Sequence, residues 1–242
     1  MFLAVDIGNT NVTCGIYDKG NWVDIIRIPS DPIFLNKFKY LDKYPVSDSS
    51  ISSVVPELTN AYVKSIKNLF QINPFIINYS NAGIRLDVDY PQEVGIDRIC
   101  NTAAAKNLIG TPVIVGDIGS ATNYDVIDEG GSFIGGSIAP GIEIAARNLF
   151  EKAALLKETA FTMPKLVIGK DTATNLQSGI MFGAIDFIDG MFKRIQIEAG
   201  WNDVNNIITG GFGKLISPHL KTNHILLPEL TLDGIRIIYG KQ

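Results

Sequence analysis

The stretch Phe2-Leu3-Ala4-Val5-Asp6-Ile7-Gly8-Asn9-Thr10-Asn11 decides the reading of the fold. Its first half is a short apolar run ending in an aspartate, which predicts a buried strand over residues 2–7. Gly8-Asn9-Thr10-Asn11 are turn residues, and residues 12–17 resume an extended pattern. A second turn at Asp18-Lys19-Gly20-Asn21 leads into a third strand over 22–28, so the chain opens as a three-stranded meander. The same opening returns 111 residues later, where Pro112-Val113-Ile114-Val115-Gly116-Asp117 reads as a buried strand and Asp117-Ile118-Gly119 repeats Asp6-Ile7-Gly8. Residues 124–128 resume a strand, Glu129-Gly130-Gly131 turns, and 132–138 returns. A recurring tripeptide says little alone. In the same strand–turn–strand setting, near the middle of the chain, it predicts an internal duplication. The expectation is two similar α/β halves split near residues 109–112, with a ligand in the cleft between them.

Between these openings, residues 33–44 read as a polar-rich helix and 50–55 as a short strand closed by Pro56. Residues 57–70 read as a helix with Leu58, Ala61, Tyr62, Ile66, Leu69 and Phe70 on one stripe. A strand is expected at 74–78 and a helix at 97–108, closed by Gly110-Thr111-Pro112. Helical patterns follow at 142–157 and 173–199, and a strand over 206–209 runs into Gly210-Gly211-Phe212-Gly213.

Composition narrows the function classes. The chain has 242 residues, 46% hydrophobic and 19% charged, which is globular and long enough for a real core. A net charge of −4 gives no basic surplus for nucleic acid or an anionic membrane. No apolar run approaches the roughly 20 residues that span a bilayer. The N-terminus has no basic start and carries a charge at Asp6, so no signal peptide is read. Cys14 and Cys100 form no metal-type pair and read as buried free thiols, which fits a reducing, cytoplasmic setting. His219 and His224 lack acidic or sulfur companions for a zinc site, and no G-x-S-x-G nucleophile pattern occurs.

Two strand–turn–strand units with small residues at their tips suit phosphate binding, because backbone N–H groups approach anionic oxygens closely there. Asn9, Thr10 and Asn11 add short donors, and a strand-end aspartate can hold a hydrated Mg²⁺ that bridges phosphates. Taken singly, the first turn is equally a plain hairpin. Thr209-Gly210-Gly211-Phe212-Gly213 matches neither the P-loop nor the Rossmann pattern. It suits a purine or ribose lying against backbone, or a tight strand-to-helix link. In Tyr90-Pro91-Gln92-Glu93-Val94-Gly95-Ile96-Asp97-Arg98, acid and guanidinium stand together at the start of an apolar helix. Arg98 could pair with a substrate carboxylate and Asp97 accept a hydroxyl proton. The alternative is an ordinary N-terminal helix acid beside a solvated arginine.

These pieces together resemble the type III pantothenate kinases over essentially the whole chain. The matching segments are Asp6 to Asn11, Ser52-Ser53-Val54-Val55-Pro56-Glu57-Leu58, Tyr90 to Arg98, Asp117 to Thr122, Gly135-Gly136-Ser137-Ile138-Ala139-Pro140-Gly141, Ile168-Gly169-Lys170-Asp171-Thr172, Gln177-Ser178-Gly179-Ile180 and Thr209 to Gly213. The resemblance implies an α/β chain of duplicated ribonuclease H-like (actin-like ATPase) domains, with mixed sheets flanked by helices. Residues 1–110 would carry the phosphate loop and the pantothenate segment. Residues 111–242 would carry the second phosphate turn, the cation site and the adenosine-side Gly turn.

The implied reaction is ATP-dependent phosphorylation of pantothenate, the first step towards coenzyme A. By the same resemblance Asp6, Ile7, Gly8, Asn9, Thr10, Asn11, Val12 and Thr13 form the ATP phosphate loop, and Ser120 also contacts ATP. Tyr90, Gly95, Ile96, Asp97 and Arg98 line the pantothenate pocket with Thr172, and Asp97 is the catalytic proton acceptor. Beside Mg²⁺ with ATP, the family needs a monovalent cation, K⁺ or NH₄⁺, at Asp117. It forms homodimers with the pantothenate site near the interface, and the apolar stretch 176–192 is a candidate shared face or ordinary core. The chain departs from the family pattern at Ser120 (usually Thr), at Asp171 (usually Asn) and at Ala121-Thr122-Asn123-Tyr124, which replaces a Thr-rich run. A non-catalytic accessory or regulatory relative, or a kinase for another small hydroxy acid, are the alternatives.

Overall fold

The structure, a computed structural model, describes residues 1–153 and 155–242. In chain order the strands are β1 (Phe2–Ile7), β2 (Asn11–Asp18), β3 (Asn21–Pro29), β4 (Asp48–Ser53), β5 (Phe75–Ile76), β6 (Val113–Ile118), β7 (Ala121–Ile127), β8 (Phe133–Pro140), β9 (Asn205–Thr209) and β10 (Ile225–Leu226). The α-helices are α1 (Pro56–Phe70), α2 (Ile96–Leu108), α3 (Ile142–Lys152), α4 (Thr172–Ala199), α5 (Gly213–Ile216) and α6 (Leu230–Tyr239). The chain divides into two compact units. One holds Met1–Gly110 with Gly131–Ile134 and Glu229–Gln242, and the other holds Thr111–Gly130 with Gly135–Pro228.

The first sheet has the order β3-β2-β1-β4-β5. β1 and β2 are antiparallel, with Asp6 opposite Thr13, and β4 runs parallel to β1, with Ser52 opposite Asp6. Leu3, Ala4, Val5 and Ile7 are fully buried, so β1 has helices on both faces. On one face Leu3, Val5 and Cys14 pack with Leu58, Tyr62 and Ile66 of α1 and with Phe38 and Leu41. On the other, Ala4 packs with Ile99, Cys100 and Ala103 of α2 and Leu232, Ile235 and Ile238 of α6. Each such aliphatic side chain contributes roughly 1.5–3 kcal/mol by burial. The α2–α6 crossing needs glycine. A Cβ at Gly234 would lie 1.9 Å from the Cys100 carbonyl oxygen.

The second sheet has the order β10-β9-β6-β7-β8, which is the first read backwards. β6 and β7 are antiparallel with Asp117 opposite Asn123, and β9 is parallel to β6. α4 covers one face, packing Met181, Ile185, Ile188 and Phe192 against Ile114, Tyr124 and Ile208. The duplication expected from the repeated Asp-Ile-Gly is therefore present in the sheets. Its two turns differ by one residue. Ile7 pairs with Val12 in the first hairpin, and Ile118 pairs with Thr122 in the second.

Several boundaries depart from the sequence reading. The helix expected at 33–44 is a 3-10 helix, Pro32–Lys43, started by Pro32 and capped by Asp31, whose Oδ1 accepts the Ile33 N–H at 2.9 Å. A 3-10 run of this length is held by packing rather than by its own poorer hydrogen bonds. Phe38 supplies that packing, edge-on to Tyr62 at 5.3 Å. The helix read over 142–157 ends at Lys152, and its span includes Ala154, which lies outside the described residues. The strand expected at 50–55 is β4, ending at Ser53, and the one expected at 74–78 is only Phe75–Ile76. No element was read after the Gly210 turn, and α6 was missed there.

Candidate active site

The first turn is built by β1 and closed from outside. The Gly8 N–H donates to the Asn11 carbonyl at 3.1 Å. Ser30 braces the turn, its Oγ donating to the Gly8 carbonyl at 2.5 Å and its N–H donating to the Thr10 carbonyl at 2.9 Å. Asn9, Thr10 and Asn11 are exposed at the tip, while Ile7 and Val12 are buried below it and Thr13 is half-buried. Asp6 stands half-buried at the end of β1. Its Oδ1 accepts the Ser52 hydroxyl at 2.9 Å.

The second turn has a closer glycine lining. The Gly119 N–H donates to the Ala121 carbonyl at 2.9 Å, and the Gly141 N–H donates to the Ser120 carbonyl at 3.0 Å. A Cβ at Gly141 would fall 2.3 Å from the Gly119 oxygen. Gly210 has φ +89, and a Cβ there would fall 2.4 Å from Asp117 Oδ1. Gly119, Gly141 and Gly210 thus converge around Asp117 and the exposed Ser120. The sequence reading treated the Gly210 turn separately and gave Gly141 no part. Its signal was present, since Gly-Gly-Ser-Ile-Ala-Pro-Gly ends a strand with a glycine immediately before a helix.

Tyr90, exposed, precedes the single 3-10 turn Pro91–Glu93, and Gly95 is the N-cap of α2. Asp97 sits in the first turn of α2, where its Oδ1 accepts the Arg98 N–H at 2.9 Å. A Cβ at Gly95 would lie 2.5 Å from that oxygen, so glycine lets the carboxylate fold back over the helix start. Burial pushes the Asp97 carboxyl above the ordinary aspartate range, and the amide and charge of Arg98 pull the other way without cancelling it. The Arg98 guanidinium lies over the buried Phe133 ring, 5.1 Å from its centroid.

Two of the three departures from the family pattern have local reasons. Asp171 is the N-cap of α4, and its Oδ1 accepts the Thr174 N–H at 2.8 Å. Asp and Asn cap about equally well, so this charge has a structural role. Thr172 is the exposed first residue of that helix. In the Ala121–Tyr124 run, Thr122 and Tyr124 point into the core, where Tyr124 meets Phe192 edge-on at 5.3 Å. His224 is held between the Ser217 hydroxyl and the Thr222 carbonyl, each at 2.7 Å.

Among the described residues no group of three or more His, Cys, Asp or Glu side chains could cage a metal ion. A divalent ion here would rest on one or two carboxylates, water and phosphate oxygens, as Mg²⁺ does in phosphoryl-transfer sites. Asp6 beside an exposed turn of small polar residues fits that donor set. Asp117 presents a half-buried carboxylate at the end of β6, with the Gly210 backbone close against its Oδ1. Among the described residues no helix is long and apolar enough to cross a membrane.

The paired sheets with their strand-end aspartates define a duplicated actin-like ATPase fold. A structure titled as a conserved putative Baf family transcriptional activator from Campylobacter jejuni shares it with a TM-score of 0.65 at 21% identity, covering 99% of this chain and 98% of that one. The Acidaminococcus fermentans (R)-2-hydroxyglutaryl-CoA dehydratase component A matches with a TM-score of 0.53 at 12% identity, covering 98% of this chain and 96% of that one. The profile of the type III pantothenate kinases matches residues 2–194. A type III pantothenate kinase from Agathobacter rectalis is 38% identical, with 100% of this chain and 98% of the relative covered. One from Roseiflexus sp. is also 38% identical, over 99% and 98%. The chain belongs to the type III pantothenate kinase family.

The raised Asp97 carboxyl yields a stability prediction whose sign can be fixed. The folded state holds the proton more tightly than the unfolded chain, so this group costs nothing below the ordinary aspartate range. Stability is lost as pH rises towards the raised folded value. Asp97→Asn, neutral at every pH and still able to accept the Arg98 N–H, is expected to melt at a higher temperature than the parent at pH 7. The gap should close in acid. Thermal melts across that range check it, and equal melting temperatures at pH 7 would count against a half-buried, costly carboxylate.

Proposed function

We propose that the protein transfers the γ-phosphoryl group of ATP to the primary hydroxyl of pantothenate, giving 4′-phosphopantothenate, the first step towards coenzyme A. The observation that carries this reading is kinship over the whole chain with kinases of that name, which also favours catalysis over the accessory alternative. ATP enters with Mg²⁺, which neutralises charge on the phosphates. Residues 6–13 grip the phosphate oxygens through backbone N–H groups and the Asn9, Thr10 and Asn11 side chains, and Asp6 organises the hydrated ion. Ser120 makes a further ATP contact.

Tyr90, Gly95, Ile96 and Thr172 line the pantothenate site, and Arg98 pairs with its carboxylate as a planar fork. Asp97 takes the proton from the hydroxyl. The new O–P bond forms as the bond from the β–γ bridging oxygen breaks, and ADP leaves. A carboxylate pushed upward by burial is the stronger base for this step, provided it is ionised at the working pH. Asp97→Asn should lower kcat about 10²–10⁴-fold with ATP binding nearly unchanged. Wild-type kcat in that variant removes Asp97 from the mechanism.

Asp117 is read as the ligand of a monovalent cation, K⁺ or NH₄⁺. Turnover is expected to rise when sodium is replaced by either ion, and Asp117→Asn to flatten the response. Equal turnover of the parent enzyme in all three salts contradicts this.

The working unit is read as a homodimer. Ile144, Leu149 and Phe187 are exposed apolar side chains on α3 and α4, beside a cavity of about 380 Å³ that Leu149, Gly179 and Phe187 help line. Apolar surface of this kind on a soluble unit is suited to a second copy. Sedimentation at micromolar concentration should give about twice 26.4 kDa. A particle of monomer mass refutes the dimer.

A further inference from the structure

β4 is an unusual interior strand, lying between β1 and β5. It reads Asp48-Ser49-Ser50-Ile51-Ser52-Ser53, and Ser49, Ser50 and Ser52 are all buried. Serine has low strand propensity and little surface to pack, and a buried hydroxyl costs free energy unless it is hydrogen-bonded. The Ser49 and Ser50 hydroxyls find no partner. Ser52 differs, because its Oγ donates to Asp6 Oδ1 at 2.9 Å from a fully enclosed position. The parallel register sets Ser52 directly beside Asp6, so both side chains emerge on one face of the sheet. That face carries α2, whose Cys100 packs there with Ala4.

We propose that Ser52 is a positioning residue for phosphoryl transfer: its buried hydroxyl fixes the plane of the Asp6 carboxylate that organises Mg²⁺·ATP. The terminal torsion of an aspartate is soft and roughly two-fold, so the backbone alone does not set that plane. A charge-assisted O–H···O⁻ bond from a rigid neighbouring strand does set it. Outer partners that orient a metal-organising group typically change affinity or activity 10–100-fold when removed. A valine at this position would suit the strand better and bury more apolar surface, yet would remove the hydrogen bond to the Asp6 carboxylate. The inference rests on the reading of Asp6 as part of the ATP phosphate loop, and the test separates the two.

The measurement is calorimetric binding of Mg²⁺·ATP, without pantothenate, to the parent, Ser52→Ala, Ser52→Thr, Asp6→Asn and the Ser52→Ala/Asp6→Asn double variant, with thermal melts of each. Ser52→Ala is expected to weaken binding about 10–100-fold without lowering the melting temperature. Ser52→Thr, which keeps the hydroxyl, should recover most of the loss. In the Asp6→Asn background Ser52→Ala should change nothing further, because the partner it acts through is gone. Parent-like binding by Ser52→Ala, no recovery in Ser52→Thr, or an equal loss with and without Asp6 each overturns the positioning role. Parent-like binding by Asp6→Asn overturns instead the reading of Asp6 on which the inference stands.

Discussion

A strand buried on both faces has no room for a charge along its length, and the arrangement of this protein follows from that constraint. β1 and β6 are apolar until they emerge, and each carries its aspartate where burial ends, followed by one buried isoleucine and a glycine. A carboxylate at that point is half-solvated and held by a rigid strand, and it has a tight turn beside it. Those are the requirements for gripping hydrated cations and phosphates. Duplicating the unit duplicates the geometry, and the one-residue difference between the two hairpins leaves room for different tasks.

Most of this was legible in the sequence because it is local. Strand periodicity, turn residues and a repeated tripeptide pointed to the two hairpins and the meanders they open, while the parallel placing of β4 and β9 beside them was not read. The first turn of α2 was legible for the same reason, since Gly95-Ile96-Asp97-Arg98 places acid and base at a helix start whatever surrounds them. What escaped was set by packing. Leu230-Thr231-Leu232 and Ile235-Arg236-Ile237 alternate like a strand, and Gly234 interrupts them. They form a helix because burial against α2 outweighs propensity, and the glycine that weakens the helical signal is what lets the two helices touch. The 3-10 helix at Pro32–Lys43 is likewise a product of its contacts with α1.

The charge balance at Asp97 was also beyond the sequence. An adjacent arginine suggests an ionised aspartate, and the backbone amide it accepts pushes the same way. Both are outweighed by removal from water, a quantity that depends on what α2 packs against. The result is a carboxyl held above the ordinary aspartate range at the start of α2.

The central claim is the acceptor. The most direct test supplies Mg²⁺·ATP and potassium with a panel of small hydroxy acids, pantothenate among them, and follows ADP release together with the mass of the product. The expected result is turnover that depends on pantothenate and a product one phosphoryl group heavier. Release of ADP with another acid but not with pantothenate would contradict pantothenate kinase activity while leaving the fold and its phosphate turns intact.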